Sequence, residues 1–296
     1  MTEPSGWENL ERRPGEYVTV HLDQLRPVYG RPPFVEYWLR VWQRRQFVLA
    51  DARGRVVSST QGFLLGTAWL VLKPIFDAMA YLVIFGFVLK MSRGIDNFLG
   101  YLLIGIFLFG FTTRTISAGA NALHAGRNLI KGFSFPKAVL PVAVVVRECL
   151  NLVPTLVVLV VLVVAIPPHA TPGVTWVAFP AVLALQILFT AGVSLLAARA
   201  TAHMKDLTHV IAVVTRFWFY GSGVFFNFEN FGPPAWVMTI IELNPMFQVL
   251  DMSRDLLLYA TWPSGVSWAI LGGWTLVALV WGMVAFWRGE ESYGSL

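Results

Sequence analysis

Charge is scarce in this chain, and so are cysteine and every familiar catalytic signature. Only 13% of its 296 residues are charged, against about 25% in an average soluble domain. One cysteine, Cys149, lies inside an apolar run, which excludes an intrachain disulfide and leaves the redox compartment undetermined. A small buried hydrophobe is the simplest role for it. There is no glycine-lysine phosphate loop, no HExxH, no CxxC and no nucleophile elbow. The five histidines, His21, His124, His169, His203 and His209, do not share a helical face, so neither a metal site nor a catalytic centre is expected. The first nine residues lack the basic-then-apolar pattern of a cleaved signal, so the first span is expected to direct insertion.

What the chain has is apolar length. It is 56% hydrophobic, with a mean hydropathy of +0.62. Runs wide enough for a bilayer occupy about 63–91, 98–120, 138–167, 174–198, 207–228 and 264–287, one of them interrupted by proline. Crossing about 30 Å of hydrocarbon takes roughly 20 apolar residues. The expected fold is an all-α polytopic membrane protein with six transmembrane helices over 62–290. The polar stretch 1–61 is too short for a substantial core of its own.

Between the runs, charge is uneven. Segment 1–61 holds nine arginines, no lysine and seven acids, a near-cancellation that argues against a nucleic-acid partner. The loop from Arg114 to Lys137 carries Arg127 and Lys131 and no acid, and the loop near 199–206 carries Arg199 and Lys205. Segment 228–262 is acidic, with Arg254 as its one base. Basic loops mark the cytoplasmic side, so both termini are expected inside; Lys90 and Arg93 are the misfit.

Residues 1–31 read as a polar tail. Residues 32–50 read as an amphipathic helix in the membrane interface, with Trp38 and Trp42 on its apolar face and Arg40 and Arg44 opposite. Residues 51–61 read as a linker, and 291–296 as a cytoplasmic C-terminus. In 229–259, Gly232-Pro233-Pro234 and Asn244-Pro245 bound apolar pieces too short to span, read as two short helices dipping into the outer leaflet.

Ionisable residues inside spans default to functional hypotheses. Lys73 and Asp77, at i and i+4, read as a self-neutralising pair. Arg147, Glu148 and Arg216 need partners on other helices, either one another or an anionic substrate headgroup. Aromatics are dense at Phe107, Phe109 and Phe111 and from Phe217 through Trp218 and Tyr220 to Phe225. Belt or packing roles explain single rings. As a set they read as the wall of a path for sugars.

The ordered motifs resemble the permease subunit of polysaccharide-exporting ABC transporters, from about 34 to 290. They are Leu65-Gly66 with Trp69 and Pro74; Asn128-Leu129-Ile130-Lys131 followed by Phe135-Pro136 and Leu140-Pro141; Lys205-Asp206 with His209; Asn244-Pro245; and Arg254-Asp255. The stretch from Ser92-Arg93-Gly94 to Gly105 looks like actinobacterial exporters of lipid-linked cell-wall galactan. The resemblance implies a homodimer around a channel and two soluble ATPase subunits that bind ATP and magnesium. It implies a polyprenyl-pyrophosphate-linked glycan as substrate, in a bacterial cytoplasmic membrane. It places a coupling helix within 120–137, with Arg127, Asn128, Leu129, Ile130 and Lys131 meeting the ATPase. Leu129 and Ile130 would fill a groove there, and Lys205 with Asp206 would make a second contact. It assigns the interface helix to 34–50 and periplasmic gate helices, with Asn244, Pro245, Arg254 and Asp255, to 229–259. A drug or lipid exporter of the same fold, and a membrane enzyme acting on polyprenyl-linked sugars, are the competing readings.

Overall fold

The computed structural model describes residues 32–59, 65–84, 97–167, 170–228 and 232–295. The polar tail 1–31, together with Lys90 and Ser92-Arg93-Gly94, lies outside them. Among the described residues the fold is all helical. In chain order it runs α1 (Phe34–Gln43), α2 (Arg45–Ser58), α3 (Trp69–Tyr81), α4 (Phe98–Ala120), α5 (Ala122–Ala125) and α6 (Arg127–Gly132). Then follow α7 (Val139–Ala165), α8 (Phe179–His203), α9 (Leu207–Tyr220), α10 (Ala235–Glu242), α11 (Pro245–Arg254) and α12 (Gly265–Arg288).

Among the described residues, four helical segments have the length and composition to cross a membrane: α4, α7, α8 with the 3-10 turn before it, and α12. At 1.5 Å per residue the 27 residues of α7 reach about 40 Å. α9 has 14 residues and reaches only about 21 Å, so the run 207–228 is not one continuous helix. Its second half, 221–228, is a chain of turns that includes Gly223 in the left-handed region, a conformation glycine adopts without a Cβ penalty. α3 is described only as far as residue 84.

α4 is largely enclosed by its neighbours, while α7 and α12 keep apolar flanks outward. On α7 that flank is Val153, Val157, Val161 and Val164, spaced at helical repeats. Between helices in lipid there is little hydrophobic drive, so close backbone approach and polar contacts matter more. Both occur here. α8 and α12 share the most extensive packing, with Gly192 against Ala278 and Gly282 so closely that a Cβ on either glycine would collide with the opposite backbone. α4 and α8 are joined by buried polar groups. Gln186 Nε2 donates to the Leu108 carbonyl at 2.8 Å and to Thr112 Oγ1 at 3.0 Å, and Thr112 and Thr190 hydroxyls lie 3.3 Å apart.

The sequence reading needs correcting in two places. Residues 51–58, read as linker, continue as α2, which packs along α7; Val48 and Ala52 are buried in that contact. Arg114, read as the start of a loop, lies inside α4, and the connection begins at Asn121. The C-terminal residues after 290 form a 3-10 turn over Glu290–Ser295 with Tyr293 buried against Phe286, ring centroids 4.8 Å apart.

Gly192→Val forces α8 and α12 apart. It is expected to destabilise the fold by roughly 1–3 kcal/mol, as overpacking does, and to lower the thermal midpoint in detergent by several degrees. An unchanged midpoint would show that this crossing does not hold the bundle.

Candidate functional site

One end of the bundle gathers most of the exposed basic residues. α4 stops at Ala120, and Asn121 turns the chain into the short helices α5 and α6. Leu123 is fully buried and Gly126 sits where a Cβ would strike Leu140, so the elbow is pressed onto the start of α7. The turn between α8 and α9 reaches the same place. Thr201 donates to the Ala120 carbonyl, and Lys205 and Asp206 are exposed beyond it. His124 registers the convergence: its pKa is lowered first by partial burial, then by the positive charge of Lys205 and Arg127. Two segments about 80 positions apart thus form one ledge, basic except for Asp206.

On α6, Arg127, Asn128 and Lys131 face outward. Ile130 does not; it is buried in the protomer's own core, and Leu129 packs partly against it. The groove-filling role expected for Ile130 is therefore corrected, because one short helix cannot point five consecutive side chains the same way and Ile130 is turned into the protomer. The exposed apolar side chain of the elbow is Phe133, 69% accessible.

Behind the ledge lies a junction that the sequence reading missed. Glu290 is buried at the N-terminus of α7. It accepts from the Tyr37 hydroxyl at 2.6 Å and from the Lys137 backbone N–H at 3.0 Å, with the Lys137 ammonium 3.5 Å away. The Tyr37 oxygen in turn accepts from the Ala138 N–H at 3.1 Å. A carboxylate is well placed here, because helix N-termini carry unpaired N–H donors and partial positive charge. Burial, and then the adjacent Glu290 charge, hold the Tyr37 phenol well above its usual range, so it remains a donor. Trp287 Nε1 adds a 2.9 Å bond to the Pro32 carbonyl. The knot binds α1, the exit of the elbow and the end of α12.

The amphipathic helix is divided accordingly. Tyr37 and Val41 turn into the protein, with Trp38 partly buried beside them. Val35, Leu39 and Trp42 make a second apolar stripe that stays exposed, Trp42 at 68%. Arg45 lies over the Trp42 ring at 5.8 Å, and Arg40 pairs with Glu36 at 2.6 Å. Arg44 is exposed at the break between α1 and α2. Trp38 and Trp42 therefore serve different faces.

At the other end, Asn244 caps α11, accepting from Met246 N at 3.0 Å. Its amide also accepts from Trp218 Nε1 at 2.8 Å and donates to the Gly221 carbonyl at 3.1 Å and to Ser222 Oγ at 3.0 Å. Pro245 takes the first helical position, where its missing N–H costs nothing. Arg254 is 1% exposed and lies 3.3 Å above the Tyr101 ring. It donates to the carbonyls of Tyr101, Gly223 and Val224 at 3.1–3.4 Å. It is a buried tie rather than an exposed gate charge. Gly105 makes room for it, since a Cβ there would come within 2.9 Å of the guanidinium. Asp255 opens a π-helical turn that ends at Ala260 in the left-handed region.

The aromatic set is packing for the most part. Phe109 is buried with its ring 5.7 Å from Trp218 and 5.2 Å from Phe219, both edge-to-face, and Phe219 meets Phe225 at 5.1 Å. Phe111 is fully buried. Phe107 is 5% exposed but lines a cavity. Phe217 and Tyr220 point outward, as does Arg216, which makes no ion pair among the described residues. Glu148 pairs with its neighbour Arg147 at 3.1 Å, and Lys73 and Asp77 do not pair with each other.

The ABC-2 type transporter family matches residues 59–258, two thirds of the sequence, from the end of α2 to the π-helical turn. The chain belongs to that family. It is 26% identical over 210 residues to the O-antigen export system permease protein RfbA of Myxococcus xanthus, covering 71% of this chain and 79% of that one. A Klebsiella pneumoniae RfbA is 27% identical over 212 residues, 71% and 78% of the two chains. The polysialic acid transport protein KpsM of Escherichia coli is 22% identical over 235 residues, 78% and 88%. The ABC-2 core takes in α3 through α11, and the α1 and Glu290 parts of the junction lie outside it.

Tyr37→Phe removes one donor from the buried Glu290 carboxylate and the acceptor of the Ala138 N–H. A loss of about 1–3 kcal/mol is expected. Faster amide hydrogen exchange in α1 and at the start of α7, with α8–α12 contacts unchanged, would show it; protection equal to that of the unsubstituted chain would count against the junction.

Proposed function

We propose that the protein is the membrane-spanning half of an exporter that moves a polyprenyl-pyrophosphate-linked polysaccharide across a bacterial cytoplasmic membrane. Energy comes from ATP, bound with magnesium by a separate subunit. Two copies pair, and two soluble ATPase subunits dock beneath them. Six segments cross the membrane, and both termini are cytoplasmic. A galactan of the cell wall is the substrate that the sequence resemblance favours.

The observation that carries this reading is the ledge. A motor subunit must grip the permease where a push reaches the spans, and the ledge satisfies both needs. It is exposed and largely basic, and it joins the ends of α4 and α8 to the start of α7. Arg127, Asn128 and Lys131, with Lys205 and Asp206, are its contact groups, and Phe133 supplies an apolar knob. An acidic-rimmed apolar groove on the ATPase would complement it. α1 lies beside this end through the Glu290 junction, where its exposed Val35–Leu39–Trp42 stripe suits the membrane interface. A membrane enzyme on polyprenyl-linked sugars would need acids in such a loop, and the α5–α6 elbow has none. The same fold exporting a drug or another lipid is tested by the identity of what leaves the cell.

Arg127→Glu with Lys131→Glu reverses two charges at the docking face while leaving Leu123 and Ile130 buried. Lost close charge pairs at interfaces cost about 2–5 kcal/mol, so ATPase co-purification and surface glycan are expected to fall more than tenfold at normal permease levels in the membrane. Unchanged co-purification and unchanged glycan would refute docking at this ledge.

A further inference from the structure

α3, α4 and α7 leave a polar hollow in an otherwise apolar part of the protein. The cavity holds about 320 Å³ and is bordered at one end by Ser59, just past α2. Lys73 and Asp77 enter it from α3, Arg114 from α4, and Glu148, Asn151 and Thr155 from α7. The α7 residues stand at i, i+3 and i+7, one helical face. Trp69 and Phe107 give the same cavity two aromatic walls.

These polar groups are short of partners inside the protein. Lys73, Asp77, Arg114 and the Asn151 side chain make no hydrogen bond or ion pair among the described residues. Glu148 receives both of its Arg147 contacts, at 3.1 Å, on Oε1, and Oε2 accepts none. Arg114 lies six residues from the end of α4 and Glu148 nine from the start of α7. At 1.5 Å per residue that is about 9 and about 14 Å in from the ledge. Lys73, Asp77 and Arg114 are exposed along the hollow, and such charges among apolar helices are stable only against water or a polar ligand.

The balance of charge says which ligand. Among the lining residues Lys73 and Arg114 stand with Asp77 and Glu148, the latter also held by Arg147 from outside the cavity, so a phosphate or pyrophosphate would meet two carboxylates as well as the cations. An apolar molecule would strip water from five polar groups and return nothing. A neutral sugar suits every element. Its hydroxyls donate to the carboxylates and accept from ammonium, guanidinium and amide, and its C–H face packs on Trp69 or Phe107. The geometry points to a subsite for an uncharged sugar residue of the passing glycan, in the half of the membrane nearest the ledge. This deepens the exporter reading and rests on it.

The test uses the full-length chain in nanodiscs, carrying Cys149→Ala and Asn151→Cys, and a small water-soluble methanethiosulfonate. The probes are a panel of neutral tetrasaccharides of galactose, glucose and mannose, and inorganic pyrophosphate. The thiol is expected to react readily, and at least one tetrasaccharide to slow it about twofold when present near its Kd, with pyrophosphate inert. A thiol that does not react, protection by pyrophosphate alone, or protection by none of the panel overturns the site. In cells, Glu148→Gln and Asp77→Asn are each expected to lower surface glycan about tenfold, the scale of one charge-assisted hydrogen bond, at unchanged permease and ATPase levels. Full export by both variants also overturns it and leaves the exporter reading intact. If instead the unsubstituted chain supports no glycan export while tetrasaccharides still protect the thiol, the exporter reading falls and the site stands.

Discussion

Hydrocarbon offers no hydrogen-bond partner, and each polar group in the bundle is placed under that constraint. Where the chain leaves regular helix at depth, side chains supply what the backbone lacks. Arg254 and Tyr101 satisfy the carbonyls of Gly223, Val224 and Phe226, so the turns after α9 stay inside the protein. Asn244 does the same for Gly221 while starting α11. Gln186 takes up a carbonyl of α4 while bonding Thr112 on the same helix, and so joins α4 to α8. In the cavity among α3, α4 and α7, Lys73, Asp77 and Arg114 are left to solvent or a ligand instead.

The same constraint separates the two ends of the molecule. Toward the ledge, the contacts are a buried carboxylate on a helix N-terminus and short helices pressed on a longer one. At the opposite end a cation sits among carbonyls and against an aromatic face. α4 runs between them and touches both, through Ala120 at one end and Tyr101 at the other. A displacement of the ledge therefore has a stiff, enclosed helix along which to travel.

Much of this was legible in the residues. The runs 98–120, 138–167 and 264–287 coincide closely with α4, α7 and α12, because twenty-odd predominantly apolar residues permit little else. The run 174–198 fits less closely: it opens with a 3-10 turn, and α8 runs on to His203. Asn244-Pro245 announced the start of α11 by its cap chemistry. What escaped was long-range partnership. Glu290 reads only as the last residue of the membrane domain until Tyr37 and Lys137 are beside it, and those three are scattered across 254 positions. A weak signal was present: an acid just after a long apolar helix, opposite a basic stretch that opens another. The aromatic run was ambiguous for the converse reason. Ring density is the same for a packed cluster and for a lined passage, and only the edge-to-face meeting of Phe109 with Trp218 and Phe219 tells them apart. Residues 51–58 read as linker because arginine and glycine look solvated, yet a helix laid along α7 can keep Arg53 and Arg55 on its outer side.

Placing a structural carboxylate after the last apolar helix has a bearing on biogenesis. Tyr37 and Lys137 are made long before Glu290 leaves the ribosome, so the α1 end stays unfastened until α12 has been made. A chain broken off between Trp287 and Glu290 would keep α3 through α11 and leave its first helix unmoored, a product quality control could recognise by that loose helix alone.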